Sequence, residues 1–160
     1  MKKIIYLFFG LILLTSCSEN YVRLGDLERQ DGGIITFNGE KFDGYAVSIW
    51  SSKNVIREIY TIKNGIPIKS EEYEKKKGKF EEIELNNGSK TYVSDILIYS
   101  KECDFEIYYY PDGSIKRKTQ LSCKDGNLFY SERNGKSEEF DEQGNITKTE
   151  YYENGKKLKN

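Results

Sequence analysis

The chain has 160 residues, enough for one domain preceded by a short leader. Its formal net charge is −1 and 14% of its residues are aromatic, so it has apolar surface to bury and no basic excess that would attract nucleic acid. Histidine is absent, which removes the commonest general base, the Ser/His and Cys/His nucleophile pairs and most zinc sites. We therefore expect a folded, non-enzymatic protein without catalytic residues, metal, cofactor or nucleic-acid partner.

Residues 1–16 are predicted to be a cleaved leader. Two lysines precede the apolar run Ile4–Leu14, which is too short to span a bilayer, and small polar residues follow it. This order is typical of a secretory signal peptide. The ending Leu14–Cys17 resembles the lipobox of bacterial lipoproteins, which implies that Cys17 becomes the N-terminus and carries lipid, including palmitate. The alternative is an ordinary signal peptide with an incidental cysteine.

The lipobox resemblance implies a location in the bacterial cell envelope, on the periplasmic or outer-membrane side, with the lipid on Cys17 as membrane anchor. Cleavage removes two lysines and no acid, so the formal charge changes from −1 (25 basic, 26 acidic) to −3 (23 basic, 26 acidic). Residues 17–36 contain three glycines and little periodicity. We predict that they form the lipidated N-terminus and a tether, with room for a first strand near Tyr21–Leu24.

A repeating unit organises the predicted domain, residues 37–160. Each copy is an aromatic residue, a polar turn that ends in glycine and an aliphatic residue two or three positions later. The plainest copies are Tyr110–Ile115, Phe140–Ile146 and Tyr152–Leu158. Asp-Gly and Asn-Gly favour the positive φ angles of tight hairpin turns, so each unit is predicted to be a strand, a turn and a second strand.

Alternation of apolar and polar residues predicts the strands between these turns. In chain order, Tyr45–Trp50 has this pattern, and Val55–Ile62 is a second strand candidate because it is rich in β-branched residues. A lysine-rich turn follows at Lys75–Lys79. Cys103–Tyr110 is again strand-like, with the less polar residues at odd positions. The later glycines are nine to thirteen residues apart, which leaves room for short strands and none for ordinary helices. The prediction is an all-β fold, an elongated antiparallel meander of successive short hairpins with about ten to twelve strands.

Three segments resemble the variant MORN repeat: residues 38–45, Tyr60–Gly65 and Tyr151–Lys157. That family occurs in bacterial envelope lipoproteins and in proteins labelled as antitoxin components. Its repeats form successive antiparallel hairpins in one elongated twisted sheet, so the resemblance implies the same architecture for most of residues 37–160. The strict repeat has a Gly-x-Gly step after its aromatic residue, and this chain lacks that step, which leaves the number of repeats open.

Cys103 and Cys123 flank the hairpin around Asp112 and Gly113, and both fall on its less polar parity. If the turn is Asp112–Ser114, the two cysteines lie directly opposite each other. If it is residues 111–113, they are diagonal. An exported protein permits a disulfide, and we favour a structural Cys103–Cys123 bond over buried free thiols. A catalytic thiol is disfavoured, because no obvious neighbour is available to lower its pKa.

Four tyrosines are candidate binding residues, because they fall on the more exposed parity or beside turns: Tyr108, Tyr110, Tyr130 and Tyr152. A row of such rings on one face could stack sugars or peptides. The competing interpretation is that aromatic residues pair across strands and stabilise a thin sheet with little other core.

Acidic residues cluster at Glu71–Glu74, Glu81–Glu84 and Glu138–Glu142. Neighbours along a strand point to opposite faces and make poor acid–base pairs, so we interpret these clusters as solvated strand faces. An enzyme acting on envelope glycans is therefore disfavoured, since it requires two carboxylates on one face about 5–10 Å apart.

Repeat sheets expose long surfaces and serve mainly as interaction platforms. The sequence favours a lipid-anchored envelope protein with a non-catalytic scaffold or binding domain and an unknown protein partner. The alternative, implied by the family resemblance, is an antitoxin or immunity-type protein that binds and neutralises a partner toxin.

Overall fold

The structure, a computed structural model, describes residues 20–50 and 54–159. Within these ranges the chain forms fifteen strands: β1 Tyr21–Arg23, β2 Glu28–Arg29, β3 Ile35–Phe37, β4 Glu40–Lys41, β5 Gly44–Trp50, β6 Val55–Lys63, β7 Ile66–Tyr73, β8 Phe80–Glu84, β9 Lys90–Ser94, β10 Leu97–Glu102, β11 Phe105–Tyr109, β12 Ile115–Cys123, β13 Ser131–Phe140, β14 Ile146–Glu153 and β15 Lys156–Lys157. Short 3-10 turns lie at Leu24–Asp26, Asp31–Gly33, Lys124–Gly126 and Leu128–Tyr130.

The predicted all-β class is confirmed. In the part of the chain that the structure describes, no helix has the length and apolar character needed to cross a membrane. The predicted leader and the predicted lipidation site, Cys17, lie outside the described residues.

Most strands build one sheet in nearly sequential order. It runs β1-β5-β6-β7-β10-β11-β12-β13-β14-β15, and neighbours from β5 onward are antiparallel. Asn64 and Gly65 have φ angles of 49° and 76°, the left-handed conformation that a two-residue hairpin turn requires. The meander of hairpins is present with two additions: β1 pairs with β5 in parallel, and the β8–β9 hairpin leaves the path.

The segment predicted to be a tether is part of the fold where the structure describes it. β1 adds to the edge of β5, and Val22 at its centre is fully buried. β2, β3 and β4 form a separate three-stranded sheet, whose Ile35 packs in a cluster with Val22 and Phe42. This corrects the expected tether for residues 20–36. β1 coincides with the first strand for which the sequence leaves room near Tyr21–Leu24. The sequence does not reveal β2, β3 and β4, because strands of two or three residues are too short to show an alternating pattern.

The main sheet has two faces, which we call face A and face B. Face A carries Tyr60 and Tyr108, and face B carries Ile59 and Ile107. The three-stranded sheet covers the N-terminal part of face A, around the cluster Val22, Ile35, Phe42, Ala46 and Ile62. The β8–β9 hairpin covers face B, around the cluster Val47, Ile56, Ile59 and Leu85. The apolar core therefore lies in this part of the sheet, which is covered on both faces. Each fully buried aliphatic side chain there contributes about 1.5–3 kcal/mol to the stability of the fold.

Strands β12 to β15 form a single layer. Among the described residues after Leu128, no apolar side chain is buried, and Ile146, Tyr151 and Leu158 are exposed. β12 and β13 are instead joined by a hydrogen bond of 2.8 Å between the buried hydroxyls of Thr119 and Ser137. Backbone ladders and cross-strand polar pairs therefore hold this part together.

The β11–β12 hairpin has a register that neither predicted turn accounts for alone. The turn is residues 111–113, one of the two predicted turns, with Tyr109 opposite Ile115. One step further β12 bulges, and Tyr108 lies opposite Arg117. The bulge shifts the pairing by one residue. Odd positions of β12 therefore share a face with even positions of β11, and the prediction that odd positions of both strands form one apolar face is wrong.

Cys103 and Cys123 form a disulfide in the structure, with their Cα atoms 5.2 Å apart. Cys103 precedes β11, so it lies outside the regular pairing and can reach Cys123 at the end of β12 despite the shifted register. The bond joins residues 20 apart in sequence. The chain-entropy estimate for closing a loop of this size is about 3 kcal/mol.

Candidate functional site

The four tyrosines predicted as binding residues do not form one row. Tyr108 and Tyr110 line the same open cavity, of about 590 Å³, between the β11–β12 and β13–β14 turns. The Tyr110 hydroxyl donates to the carbonyl oxygen of Phe140 at 2.9 Å. The guanidinium of Arg117 lies 4.2 Å from the Tyr108 ring centroid. Tyr110 thus joins two hairpins, while Tyr108 remains on face A.

Tyr130 and Tyr152 lie elsewhere and have contacts within the chain. Tyr130 packs so closely on the N-terminal segment that a Cβ added at Gly33 would be 2.9 Å from its hydroxyl oxygen. The Tyr152 hydroxyl donates to Glu150 at 2.9 Å, and Arg133 lies 5.4 Å from the Tyr152 ring centroid. These contacts favour the interpretation that such tyrosines stabilise the sheet.

A set of face-A side chains that shares only Tyr108 with the four predicted tyrosines forms the candidate site. Cross-strand register places one row of residues opposite one another on β6, β7, β10 and β11: Glu58, Glu72, Tyr99 and Tyr108. The adjacent row on the same strands is Tyr60, Ser70, Lys101 and Glu106. Opposite residues on neighbouring strands have Cβ atoms about 4.5–5.5 Å apart, so the two rows form a continuous floor.

The wall of the site comes from the connection between β12 and β13. The Asn127 side chain accepts a hydrogen bond of 3.0 Å from the N–H of Phe129 and fixes the 3-10 turn there. The Phe129 ring packs edge-on against Tyr60, with centroids 5.9 Å apart, and Arg29 lies 4.9 Å from the Phe129 centroid. Leu128 and Phe129 thus border a cavity of about 380 Å³ above the floor, which we call the face-A cleft.

Two carboxylates face each other in the face-A cleft. Neither Glu58 nor Glu72 forms a salt bridge with a described residue. Burial raises the pKa of Glu58, a hydrogen bond with Tyr60 opposes this shift, and the charge of Glu72 adds to it. The weaker influence of Arg57 and Lys101 lowers the Glu58 pKa. Burial and the neighbouring carboxylate together make the ionised form of Glu58 unfavourable.

Two phenols of the cleft, those of Tyr60 and Tyr99, are held in the neutral form. Burial raises the pKa of both Tyr60 and Tyr99 above the usual range, and negatively charged neighbours add to the shift. The rings of Tyr99 and Tyr108 lie with centroids 4.7 Å apart. The cleft therefore offers aromatic surface and hydroxyl donors beside its two carboxylates.

The cleft has the composition of a binding site for a small or extended ligand. Its volume is at the lower end of the range of ligand pockets, about 300–1,000 Å³. Aromatic side chains and a few convergent polar groups are what such pockets use for stacking and orientation. Within residues 20–50 and 54–159, no group of three or more Cys, Asp and Glu residues is placed to hold a metal ion.

Sequence reasoning did not identify Glu58, Glu72 or Tyr99. The interpretation of Glu71–Glu74 as a solvated strand face is wrong for Glu72, which is half-buried in the cleft. Counting back from the two-residue turn pairs Glu58 with Glu71, but a bulge between the two strands moves the partner to Glu72. The position of the turn thus predicts that Glu58 lies opposite a glutamate of β7. Only the structure shows that this glutamate is Glu72 and that the pair lies on face A.

No protein-family model, curated protein or solved structure matches this chain. The resemblance to MORN repeats therefore stays a prediction. What the fold and the site define is a class of protein, an all-β sheet protein with an open acidic and aromatic cleft on one face.

Proposed function

We propose that the protein is a lipid-anchored component of the bacterial envelope whose sheet domain binds a protein partner through the face-A cleft. The observation that carries the binding role is the cleft itself, where Glu58 and Glu72 are half-buried beside aromatic rings on an open face of the sheet. Like charges placed directly opposite each other in a sheet destabilise it. Carboxyl groups with a shifted pKa, such as that of Glu58, concentrate at functional sites. Stability alone gives no reason for such a pair.

The binding role is tested by photo-crosslinking in cells, with p-benzoylphenylalanine in place of Tyr108 in the cleft. The matched control replaces Tyr92, an exposed tyrosine of the β8–β9 hairpin, which covers the opposite face. The proposal expects one discrete protein adduct from position 108, none from position 92, and loss of the adduct when Glu72→Lys is added. Equal adducts from both positions, or none from position 108, would contradict it.

The anchoring role is supported by the apolar run Ile4–Leu14 and the lipobox-like Leu14–Cys17. Its test compares palmitate labelling of the wild type and Cys17→Ala after membrane fractionation. We expect label in the membrane fraction that the substitution abolishes. Wild-type protein that is soluble, unlabelled and unprocessed would overturn the envelope location.

The antitoxin or immunity alternative shares the binding step and differs in its consequence. It is supported by the resemblance of residues 38–45 and Tyr60–Gly65 to repeats found in proteins labelled as antitoxin components. The two roles separate when the crosslinked partner is expressed alone. Growth arrest that this protein relieves supports the immunity role, and unimpaired growth supports the scaffold role.

A further inference from the structure

We infer that the face-A cleft receives a basic side chain, a lysine or an arginine, from the surface of the protein partner. This inference rests on the proposed binding role and specifies the chemistry of the occupant. Three observations support it: the charge of the cleft, its aromatic wall, and a second place on face A where an arginine of the chain lies between a carboxylate and an aromatic ring.

The charge of the cleft favours a cation. Glu58 and Glu72 lie directly opposite each other, and neither has a salt-bridge partner among the described residues. Lys101 contributes one positive charge to the described lining, so two negative charges and one positive leave a net charge of −1. A cation placed between the carboxylates turns their mutual repulsion into two attractions.

The aromatic wall favours a cation that carries an alkyl stem. Tyr60, Tyr99 and Phe129 border the carboxylates, with the Phe129 and Tyr60 rings in edge contact at 5.9 Å. Lysine and arginine bury their methylene stems on apolar surface while the charged head reaches polar partners. Aromatic faces also attract cations directly. A small hydrated ion would use only the carboxylates and leave the rings without a role.

Elsewhere on face A, a cationic side chain of the protein itself already lies between a carboxylate and an aromatic ring. Arg133 places its Nε and Nη2 atoms 2.8 and 2.7 Å from a carboxylate oxygen of Glu106, which is buried. The same guanidinium lies 5.4 Å from the Tyr152 ring centroid. A cation held between a carboxylate and an aromatic ring is thus a structure that face A accommodates. The cleft supplies the carboxylates and the rings, and the partner would supply the cation.

The test is saturation-transfer NMR on the mature lipoprotein in neutral detergent micelles. The probes are acetyl-Gly-Arg-Gly-amide and acetyl-Gly-Lys-Gly-amide. Each has an uncharged counterpart, with citrulline or acetyl-lysine in place of the basic residue. We expect saturation transfer to the side-chain methylenes of a basic probe to exceed transfer to its uncharged counterpart by about fivefold, because the charge favours occupancy of the cleft. Equal transfer to charged and uncharged peptides would overturn the inference.

Isosteric variants assign the binding to the cleft. Glu58→Gln and Glu72→Gln remove the charges without changing shape, and each is expected to abolish the preference for the basic probe. Glu142→Gln, in the exposed β13–β14 turn, is the matched control and should retain it. A preference that survives both cleft substitutions would place the cation elsewhere and refute the inference. Circular dichroism checks that each variant is folded. Tyr99→Leu is a second cleft variant, which removes one aromatic ring and leaves both carboxylates in place.

The outcomes separate this inference from the proposed function. If the basic probes show no preference while the adduct from position 108 persists, the cleft binds a partner and the basic occupant is wrong. If methyl N-acetylglucosaminide receives more transfer than either peptide, the occupant is a sugar and the inference fails. If neither probe nor adduct is seen, the binding role fails as well.

Discussion

The two ends of the main sheet have the same hairpin pattern and are stabilised in different ways. Around β5 and β6, apolar side chains pack on both faces, and Val47, Ile56 and Ile62 are almost completely buried. In β12 to β15, the central buried residues are the hydroxyl pair Thr119 and Ser137. Similar alternation in sequence thus produces a doubly covered sheet at one end and a bare sheet at the other.

The difference shows that the covering segments, rather than the strands, decide where the core lies. The three-stranded sheet and the β8–β9 hairpin come from stretches outside the meander path, and both pack on its N-terminal part. The face-A cleft lies where this cover ends, between Tyr60, which packs on the core, and Tyr108, which borders the bare strands. Half-burial of its carboxylates is a consequence of that position.

The largest expected effect tests the core directly. Ile56→Ala, at a fully buried position of β6, should lower the free energy of unfolding by about 2–5 kcal/mol through lost burial and a residual cavity. Ile146→Ala, at a residue of β14 that is 55% exposed, is the matched control and should change it by no more than about 0.5 kcal/mol. Chemical denaturation followed by circular dichroism measures both. Equal losses would show that the two ends do not differ in packing.

The next largest effect tests how far the Cys103–Cys123 disulfide stabilises the part of the sheet that lacks an apolar core. Replacing Cys103 and Cys123 by serine should lower the free energy of unfolding by about 3 kcal/mol, because the disulfide restricts the unfolded chain. Hydrogen exchange should accelerate in β11 to β13 more than in β5 and β6, since the latter keep their own core.

Reduced wild-type protein is the control for the serine variant and should show the same exchange pattern. Mass spectrometry without reductant should find the linked Cys103 and Cys123 peptides. Two alkylatable thiols in native protein, or uniform acceleration of exchange throughout the sheet, would contradict the assigned role of the bond.

Turn chemistry is the part of this fold that can be predicted from sequence. Asn-Gly and Asp-Gly steps mark the hairpins because they favour positive φ locally, and Asn64 and Gly65 adopt it. The β-bulge after the β11–β12 turn leaves no such mark, since it depends on how the strands twist and pack together. β1 lies where the sequence leaves room for a first strand, but its parallel pairing with β5 and its burial against the distant Ala46 leave no local mark either.

The candidate site was less predictable for the same reason. Tyr108 could be selected by its parity along one strand, whereas Glu58 and Glu72 become a pair only through the register between two strands. A bulge of one residue there exchanges the partner of Glu58 from Glu71 to Glu72. Side chains on one strand follow from local alternation, but a site assembled across strands requires the pairing itself.

The smallest expected effect concerns Glu58, at the boundary between the two ends of the sheet. Burial raises its pKa in the folded state above the ordinary value of 4.5. An acid with a raised folded-state pKa binds its proton more tightly when folded, so its charge destabilises the fold above that pKa. This destabilisation disappears as the pH falls below 4.5, where the carboxyl is protonated in both states.

Glu58→Gln should therefore raise the free energy of unfolding at pH 7 by up to about 1 kcal/mol, a bound that allows for solvent screening of a half-buried group. The gain should vanish at low pH, and Glu142→Gln, exposed in a turn, is the matched control. Urea denaturation from pH 4 to pH 8 measures both. The groups that set the sign are Arg57, Tyr60, Glu72 and Lys101. If the wild type is instead the more stable protein at pH 7, those neighbours already compensate the charge of Glu58. The cleft would then have no deficit of positive charge for a partner to fill.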